Sequence, residues 1–327
     1  MRDAGGLVAE VYSLGGGSWS VVPVTRGALG QIWKLSGGGR SWAVKELLFE
    51  CDVEQVGREA ALRNAAEELG IASPRLLANR DGSYVTRLPS DAGASHVKLY
   101  DWIDGTEADP SDPALLDWLG RTTALLHRAG EGTADEELNP WYTRCPEEAD
   151  WTDLHEKVQR AGLDWAGELG RFIGTSAAEL GRWVTSVEPG DVVTSHLDLR
   201  PANVLVGREG PVLLDWDNAG PASAEQEFAR AVFVWSGGNR GDVDAARRVG
   251  LAYRRAGGRA VVSGPASFSM LFATHLNYIR VQAECAIDPT VTAAQRAFAS
   301  GQVVESLRSV PELAVVSRLV AALDTVG

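Results

Sequence analysis

The sequence predicts an α+β protein of two lobes: a small strand-rich lobe with one main helix over residues 1–102, and a larger helical lobe over 103–327. Three observations predict it. Short runs rich in β-branched and aromatic residues, punctuated by glycine turns, fill the first hundred positions. Apolar residues at helical spacing dominate after residue 113. A chain of 327 residues is long for one ordinary domain and suits two lobes sharing a cleft.

The elements follow in order. WSVVPV (19–24), QIWKLS (31–36) and SWAVKELL (41–48) read as strands, with SGGGR as the turn between the last two. Residues 53–69 carry apolar positions at helical spacing and stop at Gly70. RLLANRD, SYVTRLP and HVKLYDWI read as further strands, the first two joined by an Asp81-Gly82 turn. The stretch 103–113 is the boundary between lobes. A helix over 113–129 starts after Ser111 and Asp112 and ends at Gly130. Residues 140–160 read as irregular, and helical patterns return at 162–188, 241–256, 264–286 and 290–324. Among these helices lies a β-rich island, SHLDLRPANVLVGREGPVLLDWDNAG (195–220), with strand VLV, turn GREG and strand PVLLDW.

Composition narrows the function classes. Apolar content of 45% and charged content of 23% are globular values. The three cysteines lie far apart without CxxC spacing, which argues against a disulfide framework or zinc site and for a reducing cytoplasm. No basic stretch leads into an apolar one at the N-terminus, and no run approaches 18 apolar residues, so neither a secretory leader nor a membrane span is expected. The net charge of −13 argues against a nucleic-acid partner. Between Asp101 and Arg160, 15 acidic residues face 5 basic ones, a net of −10. That excess serves either solubility or an acidic wall that attracts a cationic ligand.

The island carries the chemistry. A tight hairpin would hold Asn203 at the entrance of one strand and Asp215 at the exit of the other, at the same end of the ribbon. One amide oxygen and one carboxylate suit a hard cation such as Mg²⁺, which takes few protein oxygens and completes its shell with phosphates and water. Asp198, five residues before Asn203, is placed to take a proton from an incoming hydroxyl.

These residues resemble a known family. His196-x-Asp198-x₄-Asn203, followed by Leu214-Asp215-Trp216-Asp217, is similar to the catalytic motif of the aminoglycoside phosphotransferase family, within the protein-kinase-like superfamily. The resemblance implies a protein-kinase-like bilobal fold. It also implies ATP or GTP as phosphate donor, Mg²⁺, and transfer to a hydroxyl of a small molecule. Lys45, in SWAVKEL, then corresponds to the strand lysine on the α/β phosphates, and Glu59 on the next helix to the glutamate that holds it. Gly27 and Gly30 would form a turn over the phosphates. KLYDWIDG (98–105) resembles the family's hinge, with Tyr100 lining the nucleotide pocket, Asp101 offering a carbonyl and Ile103 an N–H. Asp198 becomes the catalytic base, and Asn203 and Asp215 the metal ligands. Asp217 either supports a metal-bound water or bonds the adjacent loop. Arg200 neutralises the γ-phosphate or pairs with Asp198 or a nearby acid. His196 props the loop, and Glu227 braces it.

The acceptor stays open at this level. A cationic antibiotic such as an aminoglycoside, with resistance as the outcome, is one candidate. A metabolite such as an amino sugar, choline or homoserine is the other. A silent nucleotide-binding scaffold would be expected to lack one of Lys45, Asp198, Asn203 or Asp215. A protein kinase would need an activation segment after Asp215, where only about ten residues precede the next helix. The sequence does not set the oligomeric state.

Overall fold

The computed structural model describes residues 4–27, 30–47, 52–89, 95–133 and 137–324. The chain divides into two units, Met1–Ala108 with Pro201–Ala219, and Asp109–Arg200 with Gly220–Gly327. The sequence reading cut the chain once, at 102/103, and left the 195–220 island in the helical lobe. The structure instead gives residues 201–219 to the first unit.

The first unit contains α1 (Gly5–Val11), β1 (Ser20–Arg26), β2 (Gly30–Gly37), β3 (Arg40–Leu47), α2 (Val53–Glu68), β4 (Leu76–Leu77), β5 (Thr86–Arg87), β6 (His96–Asp101) and β7 (Thr106–Glu107). Its sheet runs β1-β2-β3-β6-β4, with β5 also paired to β6. The β2–β3 hairpin turns on Gly38 and Gly39, both at positive φ, as a two-residue hairpin loop with right-handed strand twist requires. Pro23 lies on the edge strand β1 where the register shifts, a position that tolerates a missing N–H. Period-two alternation then sorts the side chains. Trp42 and Val44 of β3 and Val97 and Leu99 of β6 enter one core with Val8, Tyr12 and Leu35. Ala43, Lys45, Lys98 and Tyr100 take the other face.

Helix α2 starts at Asp52, whose carboxylate accepts from the N–H groups of Glu54 and Gln55. It packs Val56 and Ala60 against Leu76. The island hairpin is β9 (Val204–Gly207) with β10 (Gly210–Leu213), and β9 also pairs with β7. A lone two-stranded ribbon is marginal in water. The third strand, from residues read as an interlobe boundary, is what brings the hairpin into the first unit.

The second unit holds α3 (Pro113–Ala129), α4 (Pro140–Thr143), α5 (Glu148–Ala161), α6 (Ala166–Phe172), α7 (Ala178–Gly181), β8 (Val192–Ser195), β11 (Gly220–Ser223), α8 (Ala224–Trp235), α9 (Val243–Arg255), α10 (Ser269–Ile287), α11 (Ala293–Arg308) and α12 (Leu313–Asp324). Helices α3 and α9 cross closely: a Cβ on Gly120 would stand 2.3 Å from the Val249 carbonyl. The span read as irregular contains α5. Its first turn carries Glu148 and Asp150, which suit a helix N-terminus but mask the apolar period of Trp151, Leu154 and Val158. The 290–324 pattern is two helices, separated at Ser309–Glu312 around Pro311. Strands β8 and β11 pair antiparallel, so the loop after β8 begins beside the strand that feeds α8. No helix among the described residues is long and apolar enough to cross a membrane.

Candidate active site

The first unit builds a cavity of about 380 Å³, within the usual range for small-ligand sites. Val24, Ile32, Ala43, Leu205 and Leu214 make its walls apolar, and Trp102 adds a flat face. Lys45, Tyr100, Asp101, Ile103, Asn203 and Asp215, six of the residues singled out from sequence, all line it. The Asp101 carboxylate lies 3.3 Å from Arg75. Gly27 donates its N–H to the Gly30 carbonyl, closing the turn between β1 and β2, and residues 28–29 of that turn lie outside the described residues. Gly30 has a steric reason to be glycine: a Cβ there would stand 3.0 Å from the Glu46 carbonyl and 3.2 Å from Lys45 Cε.

Lys45 Nζ lies 2.5 Å from Asp215 and 2.6 Å from Asp217. Burial alone would push its pKa down, but the two carboxylates outweigh that and hold it above the ordinary lysine value. The expected Lys45–Glu59 pair is not formed. Glu59 accepts instead from Lys98, at 2.5 Å, and from the Tyr100 hydroxyl at 2.7 Å. Lys45 is served by the Asp-Trp-Asp segment after β10, while Glu59 is fully buried beside β6. Lys98 was missed from sequence, where a lysine in an alternating strand reads as solvent-facing. It is 2% exposed, and its other partner is Asp217. Asp217, left open between two roles, is thus shared by two lysines, and their charges hold its pKa low against the opposing effect of burial.

Hairpin geometry sets the metal-binding candidates. The Leu214 N–H donates to the Asn203 carbonyl at 2.8 Å, one step beyond the Val204–Leu213 ladder pair. Asn203 and Asp215 therefore meet at the same end of the ribbon. The donor set is oxygen, and the Asp215 side chain is 41% exposed. Among the described residues no group of three His, Cys, Asp or Glu side chains is placed to cage a metal. Few protein oxygens with room for phosphates and water fit Mg²⁺. Asp215 adopts φ of +56°, an uncommon conformation for a non-glycine residue.

The second unit holds Asp198 on the loop after β8. Its carboxylate accepts from Arg230 at 3.1 Å, and its N–H donates to His196 Nδ1 at 3.2 Å. Arg230, three residues after Glu227 on α8, was missed. The sequence offers Arg200 as a partner, but Arg200 is exposed, and Asp198 forms an ion pair with Arg230. Leu197, buried and at φ +63°, is gripped on both sides by α8. Its N–H donates to Glu227 at 2.6 Å and its carbonyl accepts from Arg230. The Leu199 carbonyl accepts from Trp235 at 3.1 Å. Glu227 in turn meets His127 of α3 at 2.9 Å, and His127 meets the Tyr253 hydroxyl at 2.9 Å. Burial pushes the Glu227 pKa up, but His127 and the Leu197 N–H outweigh it, and the carboxyl ends below its ordinary value.

A strand lysine held by carboxylates thus stands beside an apolar cavity, with an amide and a carboxylate at one end of a hairpin. The family profile described as the phosphotransferase enzyme family, APH, matches residues 20–264. The chain belongs to this family. It is a small-molecule phosphotransferase acting on a hydroxyl group, in the protein-kinase-like fold.

Solved structures give the fold's range. The phosphotransferase is similar to spectinomycin phosphotransferase in complex with ADP and spectinomycin, at TM-score 0.63 and 14% identity over 93% of each chain. It is similar to amicoumacin kinase in complex with AMP-PNP and Ca²⁺, at TM-score 0.57 and 15% identity over 89% of each chain. It is also similar to a microcompartment-associated aminopropanol kinase, at TM-score 0.55 and 18% identity over 89% of this chain and 90% of that one. At these identities the likeness is one of fold. No curated protein matches the sequence.

Proposed function

We propose that this phosphotransferase moves the γ-phosphate of ATP, with Mg²⁺, to a hydroxyl of a small cationic molecule. The observation that carries the reading is Lys45, an ammonium held by two carboxylates on the wall of an apolar cavity. Such a cavity suits a nucleobase and such a lysine its phosphates. The complexes of similar proteins with ADP and with AMP-PNP and Ca²⁺ support a nucleotide and a divalent cation.

In this reading the base lies between the apolar side chains and Trp102, beside Tyr100, Asp101 and Ile103. Lys45 binds the phosphates, and Gly30 keeps space clear beside it. Asn203 and Asp215 would hold Mg²⁺, which neutralises charge on the phosphate oxygens when bound. The acceptor oxygen attacks the γ-phosphorus, the bond to the β-phosphate oxygen breaks, and ADP leaves. The hydroxyl proton passes to the Asp198 carboxylate. Arg230 orients that carboxylate. Enzymes of this kind work where ATP is, in the cytoplasm.

The acidic excess between Asp101 and Arg160 supports a cationic acceptor, because a cation is drawn to and oriented by nearby carboxylates. An aminoglycoside-like antibiotic is the leading candidate. A metabolic amino alcohol is the second, favoured by the likeness to an aminopropanol kinase. The test is coupled ADP release with ATP and Mg²⁺ across hydroxylated antibiotics and amino alcohols, with Asp198→Ala beside the wild type. An acceptor that stimulates release, lost in the variant, is expected, with its KM rising as salt is raised. Release that no acceptor stimulates, from a protein that ATP does not stabilise thermally, would overturn the reading.

A further inference from the structure

Lys45 and Lys98 are direct cross-strand partners in the β3–β6 pairing. Both leave the sheet on the face opposite Trp42, Val44, Val97 and Leu99. Directly opposed residues have Cβ atoms about 4.5–5.5 Å apart, and like charges there repel. Both lysines are nevertheless buried, at 7% and 2% exposure. Asp217 reconciles them, with one carboxylate oxygen 2.6 Å from Lys45 and the other on Lys98.

The remaining contacts extend the alternation of charge. Lys45 reaches outward to Asp215, and Lys98 reaches inward to Glu59, whose second oxygen accepts from Tyr100. Gln55 of α2 donates to the backbone carbonyls of Asp217 at 2.9 Å and of Ala219 at 2.7 Å, fixing the segment that carries Asp217. Of the three acids, Asp215 alone is substantially exposed: its side chain is at 41%, against 11% for Asp217 and 1% for Glu59. Asp215 is therefore the one that can change partner at low desolvation cost.

We propose that Lys98 is a positioning residue for Lys45. It holds Asp217 as the standing counter-ion of Lys45, so that Lys45 keeps its place when Asp215 turns to a divalent cation. Asp217 takes the anchoring role expected of Glu59, and Glu59 serves Lys98. The inference rests on the proposed role of Lys45 in binding nucleotide phosphates.

The experiment is calorimetric titration of the full chain with Mg²⁺·AMP-PNP, thermal melts confirming that each variant is folded. Wild type is expected to bind. Lys98→Met should weaken binding tenfold or more, yet change it less than twofold in a Lys45→Ala background, because Lys98 acts through Lys45. Asp217→Asn should match Lys98→Met, and Glu59→Gln should cost less than either. Should Lys98→Met fail to fold, Asp217→Asn in both backgrounds and its comparison with Glu59→Gln carry the test. Equal losses with and without Lys45, no loss at all, or a greater loss in Glu59→Gln than in Asp217→Asn would each overturn the inference while leaving the nucleotide site standing. A folded wild type that binds no nucleotide would remove the reading beneath it, and the inference with it.

Discussion

Replacing Glu227 with alanine should destabilise the second unit severely. The carboxylate is 2% exposed and satisfies two buried donors, the Leu197 N–H at 2.6 Å and His127 Nε2 at 2.9 Å. Each group left buried without a partner costs about 1–3 kcal/mol. Leu197 also sits at φ +63°, a conformation costing on the order of 1–3 kcal/mol that persists only while its surroundings enforce it. These contributions share one network and do not add in full, so about 3–5 kcal/mol is expected. For a unit of this size, that lowers Tm by roughly 6–20 °C. Differential scanning calorimetry measures it. A shift below about 2 °C would refute the claim that Glu227 holds the loop. The pH dependence checks the same reasoning. The Glu227 pKa lies below the ordinary 4.5, so its stabilisation is fully present above pH 4.5 and is lost as pH falls through the folded value. The gap in urea midpoint between wild type and Glu227→Gln should therefore narrow in acid.

Other variants probe single contacts. Arg230→Met removes a charge-assisted hydrogen bond to Asp198 worth about 1.5–3 kcal/mol, so kcat should fall by about 10- to 100-fold. KM for ATP should stay within about twofold, and a parallel rise in that KM would contradict the assignment. Gly30→Val should lower ADP affinity about tenfold with little change in Tm, because the new Cβ would crowd Lys45 Cε and the Glu46 carbonyl. Unchanged calorimetric affinity would show that the lysine has room to move aside. Burial lowers the His275 pKa from 6.5 to about 4, against a backbone hydrogen bond at Ser306 that raises it. The neutral ring is favoured in the folded chain, so stability is present above pH 6.5 and declines as pH falls towards 4. His275→Gln should flatten the urea midpoint across that window, and an unaltered slope would assign the acid sensitivity elsewhere.

Much of this site was legible in the sequence because its parts are local. The spacing of Asp198, Asn203 and Asp215 identifies a loop and a hairpin, and a hairpin fixes which residues share an end. Lys45 was readable from its strand, and Tyr100, Asp101 and Ile103 from the resemblance of 98–105 to the family's hinge. What escaped depends on partners distant in sequence. Lys98 shows no pattern until β6 is laid against β3. Arg230 lies on a helix whose facing residues only the tertiary fold determines. Helix α5 was hidden by its own charged first turn, and the strand β7 by its two-residue length. The pairing of Glu59 with Lys45 failed as an expectation because sequence spacing cannot say which of two neighbouring strand lysines reaches the helix first.

Burial explains why the charges divide their work as they do. Removing an ion from water costs several kcal/mol even after relaxation, and the cost is offset only when its partner stays in place. Lys98, Glu59 and Asp217 are therefore bound to one another: taking any one away strips a buried charge of one of its partners. Asp215 differs because water reaches it, so exchanging Lys45 for a cation leaves no stranded carboxylate. The same carboxylate sits in left-handed backbone at the exit of β10. Glycine would adopt that conformation more readily, but it has no oxygen to offer a cation. Aspartate is among the few other residues that tolerate the conformation. The strain at Asp215 and the burial of Lys98 thus support one arrangement. A rigid interior pair fixes the lysine, and an exposed, strained acid is left free to exchange its partner.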